Sequence, residues 1–504
     1  MNNNSNARIA KNTILLYLRM FVTLLVSLYT SRVLLKSLGV DDYGIYNIIG
    51  GVVVLFSFLS NAMTNSTQRF LNYYVGINNE KKIKKVFCAG MQAHFVITVI
   101  ILILAETIGL WFVGTQLNIP QERMYAAHWV YQFSVLTTCI NIMRVPYNAV
   151  VIAYEKMSFF AYVSIAETSL KLLVVYLILL SKNADRLILY SVLLTIVSFF
   201  VWCIYRYYCR REYSISRYAN LRSKGLFREM MSFTSWYLFG GVAMVGSQQG
   251  VNILLNIFFN VAVNAAVGIA NQVKGAIYGF VTSFQTAFNP QIVKLYAKNE
   301  TEVLYKLINR ATKFSFLLMF LLSFPVILCC EKILSVWLVE VPPYGVVFTQ
   351  LTIIASLFDA ISAPLWTVIG ATGKVKYYQI LVSVILLADI PLSYLALKCG
   401  YSPTSVFCVN VVVNLMAYMF RLMYAKKIIK INIFSYLKKA IIPCFNVCVC
   451  TLPLLIYLTY ICELQWFYII VISLLFSFIF IYLLGLESTE KDFIRNLIIK
   501  RFYK

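Results

Sequence analysis

The sequence predicts an all-α polytopic membrane protein. About fourteen transmembrane helices are expected, as two pseudo-symmetric six-helix lobes around a central cavity plus two C-terminal helices. Three observations lead there. Of 504 residues, 61% are hydrophobic and only 13% charged, with a mean hydropathy of +0.77; a soluble chain carries about 25% charged residues. Apolar runs of bilayer length follow one another between short polar breaks, and Lys and Arg favour alternate breaks. One stretch of the chain is echoed 218 residues further on.

Taken in order, the runs predict spans at about 12–35, 43–65, 86–113, 124–152, 158–181 and 187–209, then 232–258, 263–290, 311–330, 346–370, 377–397, 404–425, 440–461 and 466–485. The polar start MNNNSNARIAKN leads into a retained first span, because the apolar stretch after it outruns a signal h-region and lacks a small-residue cleavage site. Residues 1–209 then form an N-lobe and 210–231 a connecting segment. A C-lobe takes 232–426, and 427–504 hold two extra spans and a tail.

Most of the 44 Lys and Arg residues fall at the termini and in the even-numbered connections, among them KKIKK at 81–85 and the run from Arg206 to Arg228. Cytoplasmic loops accumulate such residues, so both termini are expected in the cytoplasm. The net charge of +24 is thus a topology signal facing anionic lipid headgroups, and nucleic acid is not an expected partner. Twelve cysteines are scattered through apolar stretches with no CxxC, which reads as buried thiols. The connections on the other side are short, which disfavours a glycan polymerase or ligase needing an outer domain; the chain is not expected to be an enzyme.

The stretch IGATGKVKYYQ at 369–379 superficially suggests a phosphate loop. Its glycines enclose two residues rather than four, however, and Val375 follows Lys374 where a P-loop needs Ser or Thr. The repeat gives it another meaning. PYNAVVIAYEKMSFFAYV from Pro146 aligns without a gap on PLWTVIGATGKVKYYQIL from Pro364, pairing the prolines, Ala153 with Ala371 and Lys156 with Lys374. GIYN at 44–47 echoes GIAN at 268–271, and Gln68 and Tyr73 recur as Gln291 and Tyr296. Two six-helix copies follow, and IGATGKVKYYQ is a turn between spans in which Gly373 makes the bend. An even helix count per copy relates the halves by an axis along the membrane normal, the arrangement of parallel-repeat transporters that work by alternating access.

LGVDDYGIYNII, TNSTQRFLNYY and the Pro-containing fourth span running into IAYEK resemble bacterial polysaccharide exporters. The resemblance is to Wzx-type flippases of polysaccharide or O-antigen repeat units, in the superfamily of multidrug, oligosaccharidyl-lipid and polysaccharide exporters. It implies a V of two lobes around a wet cavity lined by spans 1, 2, 7 and 8. The implied activity moves polyprenyl-pyrophosphate-linked glycan from inner to outer leaflet, with a glycan polymerase as a pathway partner. Span 1 has no Asp or Glu and carries Arg19, unlike many multidrug extruders, which place an acid there. A multidrug or metabolite antiporter of the same fold is the alternative.

Charges inside the spans include Arg19, Glu106, Glu167, Lys171, Lys274, Asp359 and Asp389. Each costs roughly 2.5–3.5 kcal/mol at a lipid-facing helix centre, so most must face a cavity or one another. Arg19 and Lys274 are candidates to hold a pyrophosphate headgroup, with Arg144, Asn252 and Asn256 as weaker substrate contacts. Glu167 and Lys171 sit four apart on one helical face and can neutralise each other. Lys171 aligns with Asp389 across the repeat, so those two, with Glu167 and Asp359, are candidates for ion coupling or for gating between the lobes. Glu106 is expected in local hydrogen bonding, and His94 and His128 as structural histidines. No cofactor or metal is implied.

Overall fold

The computed structural model describes residues 12–27, 57–115, 120–181, 185–219, 224–259, 261–338, 341–460, 465–488 and 490–492, together with positions 29, 30, 33, 34, 37, 38, 42, 45, 46 and 49. Those residues form an all-helical, multi-pass membrane protein with no strand among them. Eleven of the described helices are long and apolar enough to cross a membrane.

In chain order the helices are α1 Asn12–Ser27, α2 Ser57–Gly76, α3 Glu80–Thr115, α4 Gln121–Ala153, α5 Met157–Leu180, α6 Arg186–Glu212 and α7 Lys224–Phe258. They continue with α8 Val261–Ala297, α9 Thr301–Leu328, α10 Gly345–Ala371, α11 Lys376–Lys398, α12 Thr404–Ile429, α13 Ile442–Tyr460 and α14 Trp466–Gly485. A short helix, Cys330–Trp337, follows α9 and was not foreseen. Most helices outrun their apolar cores at the Lys/Arg-rich end, as α6 to α9 and α12 show, because long cationic side chains keep a helix turn wet while their stems lie along apolar surface. The second span, predicted at about 43–65, includes residues 50–56, which lie outside the described residues; beyond them its helix, Ser57–Gly76, runs past the expected end through the polar sequence TNSTQR, which gives no hydropathy peak.

The repeat appears in helix boundaries. α4 ends at Ala153 and α10 at Ala371, while α6 starts at Arg186 and α12 at Thr404, both pairs at the 218-residue offset. α2 and α8 end at Gly76 and Ala297, and Asn78 and Asn299 follow in the left-handed region at φ 52° and 57°. Asparagine tolerates that conformation and commonly closes a helix there. These ends are 221 residues apart, so the Gln68/Gln291 and Tyr73/Tyr296 matches stand two residues out of helix register. In the GIYN echo, 44 and 47 lie outside the described residues.

Contacts divide the chain into two units. The first comprises Met1–Gly241 with Val293–Asn299, the second Val242–Ile292 with Glu300–Lys504.

In the first unit, Ala127, Val130, Tyr131 and Val135 of α4 pack with Ala105, Val113 and Leu187. α3 carries a π-turn at Ala105–Gly109, where Tyr131 donates to the Ala105 carbonyl at 2.7 Å. At the helix ends away from most of the basic residues, Arg123 donates to both Asp42 (2.8 Å from Nε) and Asp185 (2.6 Å from Nη1). Asp185 also caps α6 by accepting from the Leu187 and Ile188 N–H groups. Burial pushes its carboxyl pKa up, but the bonds from Arg123 and the capping N–H groups more than offset this and hold it below the usual carboxylate range.

In the second unit, Phe348 and Phe407 stack at 4.1 Å within a core shared by Leu255, Val263 and Val406. α11 breaks at Ala388, as Pro391 demands, because its ring clashes with the Leu387 carbonyl and it has no N–H to give. Ser247 of α7 donates to the neighbouring Leu386 carbonyl at 2.9 Å. After α14, Glu490 turns back so that its carboxylate accepts from Lys313 of α9 at 2.6 Å, with Arg310 at 3.5 Å. Lys313 and Glu490 are 1% and 5% exposed.

Candidate functional site

Two groups of intramembrane charges are built within the units. In the first, Glu167 on α5 is shared by two cations. Arg144 of α4 donates to Oε2 at 2.9 Å, and Lys171, one turn along α5, donates to Oε1 at 2.8 Å. Arg144 also lies over the Tyr205 ring at 5.8 Å. Arg19 of α1 stands apart, with its guanidinium 4.7 Å from the Phe160 ring centroid. Its Nε is buried without a hydrogen-bond partner, and no carboxylate among the described residues reaches it. With Arg19 counted beside these two ion pairs, the described residues supply three cations and one carboxylate here.

In the second unit, Lys274 of α8 faces Asp359 of α10 at 3.9 Å, an ion pair at the limit of direct contact. Asp389 sits at the α11 break, 2% exposed, and accepts from Asn410 at 2.7 Å and Ser393 at 3.3 Å. Among the described residues, a hydroxyl and an amide rather than a cation bond this carboxylate. Asn252 of α7 donates to Gln249 one turn before at 3.3 Å; the Asn256 side chain lies outside the described residues.

The Glu167–Lys171 pair forms, and Arg144, treated as a separate headgroup contact, joins it. Lys171 and Asp389 each find partners within their own unit. Glu106 accepts from Gln132 at 3.1 Å, the local bond expected of it. His94 and His128 each bond through Nδ1 to the carbonyl four residues earlier, at 2.8 Å. Sequence reasoning missed Arg421 of α12, which is 6% exposed; its Nε donates to Tyr378 at 3.2 Å and its guanidinium lies 5.3 Å from the Trp366 ring centroid. It fell inside the predicted span but beside KK at 426–427, and passed for part of the basic connection.

Residues 230–395 match the MatE family, about a third of the chain. Solved structures extend the likeness over most of it. An outward-facing multidrug resistance MATE family transporter of the MOP superfamily superposes with a TM-score of 0.74 at 11% identity, covering 84% of this chain and 96% of that one. A MATE structure in the bent conformation gives 0.71 at 11% identity, covering 86% and 97%. A MOP superfamily transporter from Pyrococcus furiosus, for which reverse polarity of the binding pocket suggests a different function, gives 0.70 at 11% identity, covering 84% and 96%. The fold is that of the MATE-type transporters. No curated protein matches the chain.

Proposed function

We propose that this chain is a secondary exporter of the MATE fold that works by alternating access and carries an anionic amphiphile. One observation supports the sign of the cargo above all: Arg19, embedded in a membrane helix with a buried, unsatisfied Nε, has no carboxylate to neutralise it among the described residues. An organic cation gains nothing beside such a group, while a phosphate or pyrophosphate gains a charge-assisted, potentially bidentate bond. Within this reading the cargo is polyprenyl-pyrophosphate-linked glycan. Arg19 and Lys274 hold the headgroup, Arg144 follows when Glu167 yields it, and Asn252 and Asn256 are offered to sugar hydroxyls.

Both termini lie in the cytoplasm of a bacterial inner membrane, anionic lipid surrounds the basic ends, and a polymerase takes the glycan after transfer. In this reading the N-lobe is assigned to 1–209, the connecting segment to 210–231, the C-lobe to 232–426 and the two-helix extension to 427–504. Coupling or gating falls to Asp359, Asp389, Lys171 and Glu167.

The second reading, a multidrug or metabolite antiporter, has more direct support from the comparisons, since one structure sharing the fold is a multidrug resistance transporter. The charge balance is the reason to prefer an anion. Pocket polarity is also the property on which a different function is suggested for the Pyrococcus furiosus protein.

The test is a deletion strain and reconstituted liposomes. Lipid-linked glycan accumulating on the inner leaflet, restored to the outer by the purified protein, is the expected result. Unchanged glycan together with new sensitivity to cationic drugs would replace the proposal by the antiporter.

A further inference from the structure

The turn between α4 and α5 has Glu155 at its middle, with φ at 58°. This left-handed conformation is unfavourable for an ordinary L-residue, whose Cβ comes too close to the following carbonyl oxygen. Its counterpart 218 residues on is Gly373 at φ 75°, where glycine pays no such penalty. Both turns need the same backbone bend, and in the first half the residue making it brings a carboxylate.

That carboxylate is 2% exposed and accepts from Lys294 Nζ at 2.5 Å. Lys294 belongs to Val293–Asn299, the short end of α8 that packs with the first unit, although the chain on either side belongs to the second. The same end lies against the end of α2. A Cβ on Gly76 would stand 2.8 Å from the Lys294 Cα and 3.0 Å from its carbonyl oxygen, so glycine is what lets the backbones approach so closely. The repeat does not duplicate this arrangement: Gly373 has no side chain, and in helix register Lys294 aligns with Tyr73.

We infer that Glu155 and Lys294 form a releasable latch at the end assigned above to the cytoplasm. The pair is buried while that end is closed and parts when the end of α8 leaves α2. An ion pair suits a contact that must open: both charges regain their hydration when water enters, which offsets much of the attraction lost. The inference rests on the alternating-access reading.

The experiment uses the full chain in liposomes, cleared of reactive cysteines and spin-labelled at positions 77 and 298, with distances measured by pulsed dipolar spectroscopy. The unsubstituted pair should give a dominant short distance and a minor long one. Glu155→Gln should raise the long population at least threefold, and Gly76→Ala should do so sterically with both charges intact. Glu155→Gly keeps the bend without the carboxylate and should match Glu155→Gln, which separates loss of the pair from damage to the turn. Exchanging the charges, Glu155→Lys with Lys294→Glu, should restore the short distance. Two populations that none of these folded variants shifts would overturn the latch. A single distance, unmoved by substrate or by any variant, would instead overturn alternating access itself.

Discussion

The charge groups of the two units solve one problem differently. In the first, one carboxylate serves two cations and a third, Arg19, is left over. In the second, Lys274 has its own Asp359, Asp389 leans on an amide and a hydroxyl, and Arg421 rests on Tyr378 and Trp366. The repeat has copied backbone register without copying chemistry. Across it Lys171 meets Asp389, Asp359 meets Asn141, and Glu155 meets Gly373. Of the two charge groups, as far as the described residues go, the first holds the positive surplus.

Substitutions can break or sharpen this contrast. The largest effect is expected from Glu167→Ala, which leaves Arg144 and Lys171 facing each other unpaired. Taking the shared carboxylate from this half-buried ion group costs about 2–3 kcal/mol, visible as a lower thermal midpoint in detergent. A midpoint that held would mean the cations already have water for company. Next comes Arg421→Ala, losing a desolvated cation–π contact and a hydrogen bond worth about 2 kcal/mol, with transport rate per folded molecule unchanged. A transport defect without instability would move Arg421 from scaffold to substrate path.

Arg19→Ala should reverse that pattern. Apparent affinity for the lipid-linked substrate should fall about tenfold, or 1.4 kcal/mol, with the midpoint held. Arg19→Lys should recover only part, since an ammonium lacks the planar fork. A larger loss in Lys274→Ala than in Arg19→Ala would put the working cation in the other unit.

The smallest effect tests the inverse stoichiometry, in which Arg123 is shared by Asp42 and Asp185. Asp185→Asn should cost about 1 kcal/mol at neutral pH through a weaker cap and clamp. Because the native carboxyl is held low, its contribution is full above about pH 4. It is lost as pH falls through the lower folded value, so wild type and variant should converge in acid.

Hydropathy and charge alternation made most of the fold legible, since the bilayer leaves little choice but helices of its own thickness. The end of the second span was the weak point, because the polar residues of α2 that carry it on to Gly76 gave no peak. The charged residues themselves were easy to find, but several of their partners were not. Glu167 and Lys171 are one turn apart and readable. Arg144 to Glu167, Lys274 to Asp359 and Glu155 to Lys294 depend on which faces of separate helices meet, and a single sequence carries no such information. Lys313 and Arg421 were hidden by position, each a lone cation close to a basic connection.

Lys313, sealed beside Glu490, bears on handling the protein. The final pair of helices looks like an optional appendage to a twelve-helix body, yet the ammonium it covers belongs to that body. A reporter fused before residue 490 strips the counter-charge from Lys313, 177 residues earlier in the chain. One joined beyond residue 492 leaves it intact, so the choice of junction alone decides whether a tagged protein reports on transport or on its own collapse.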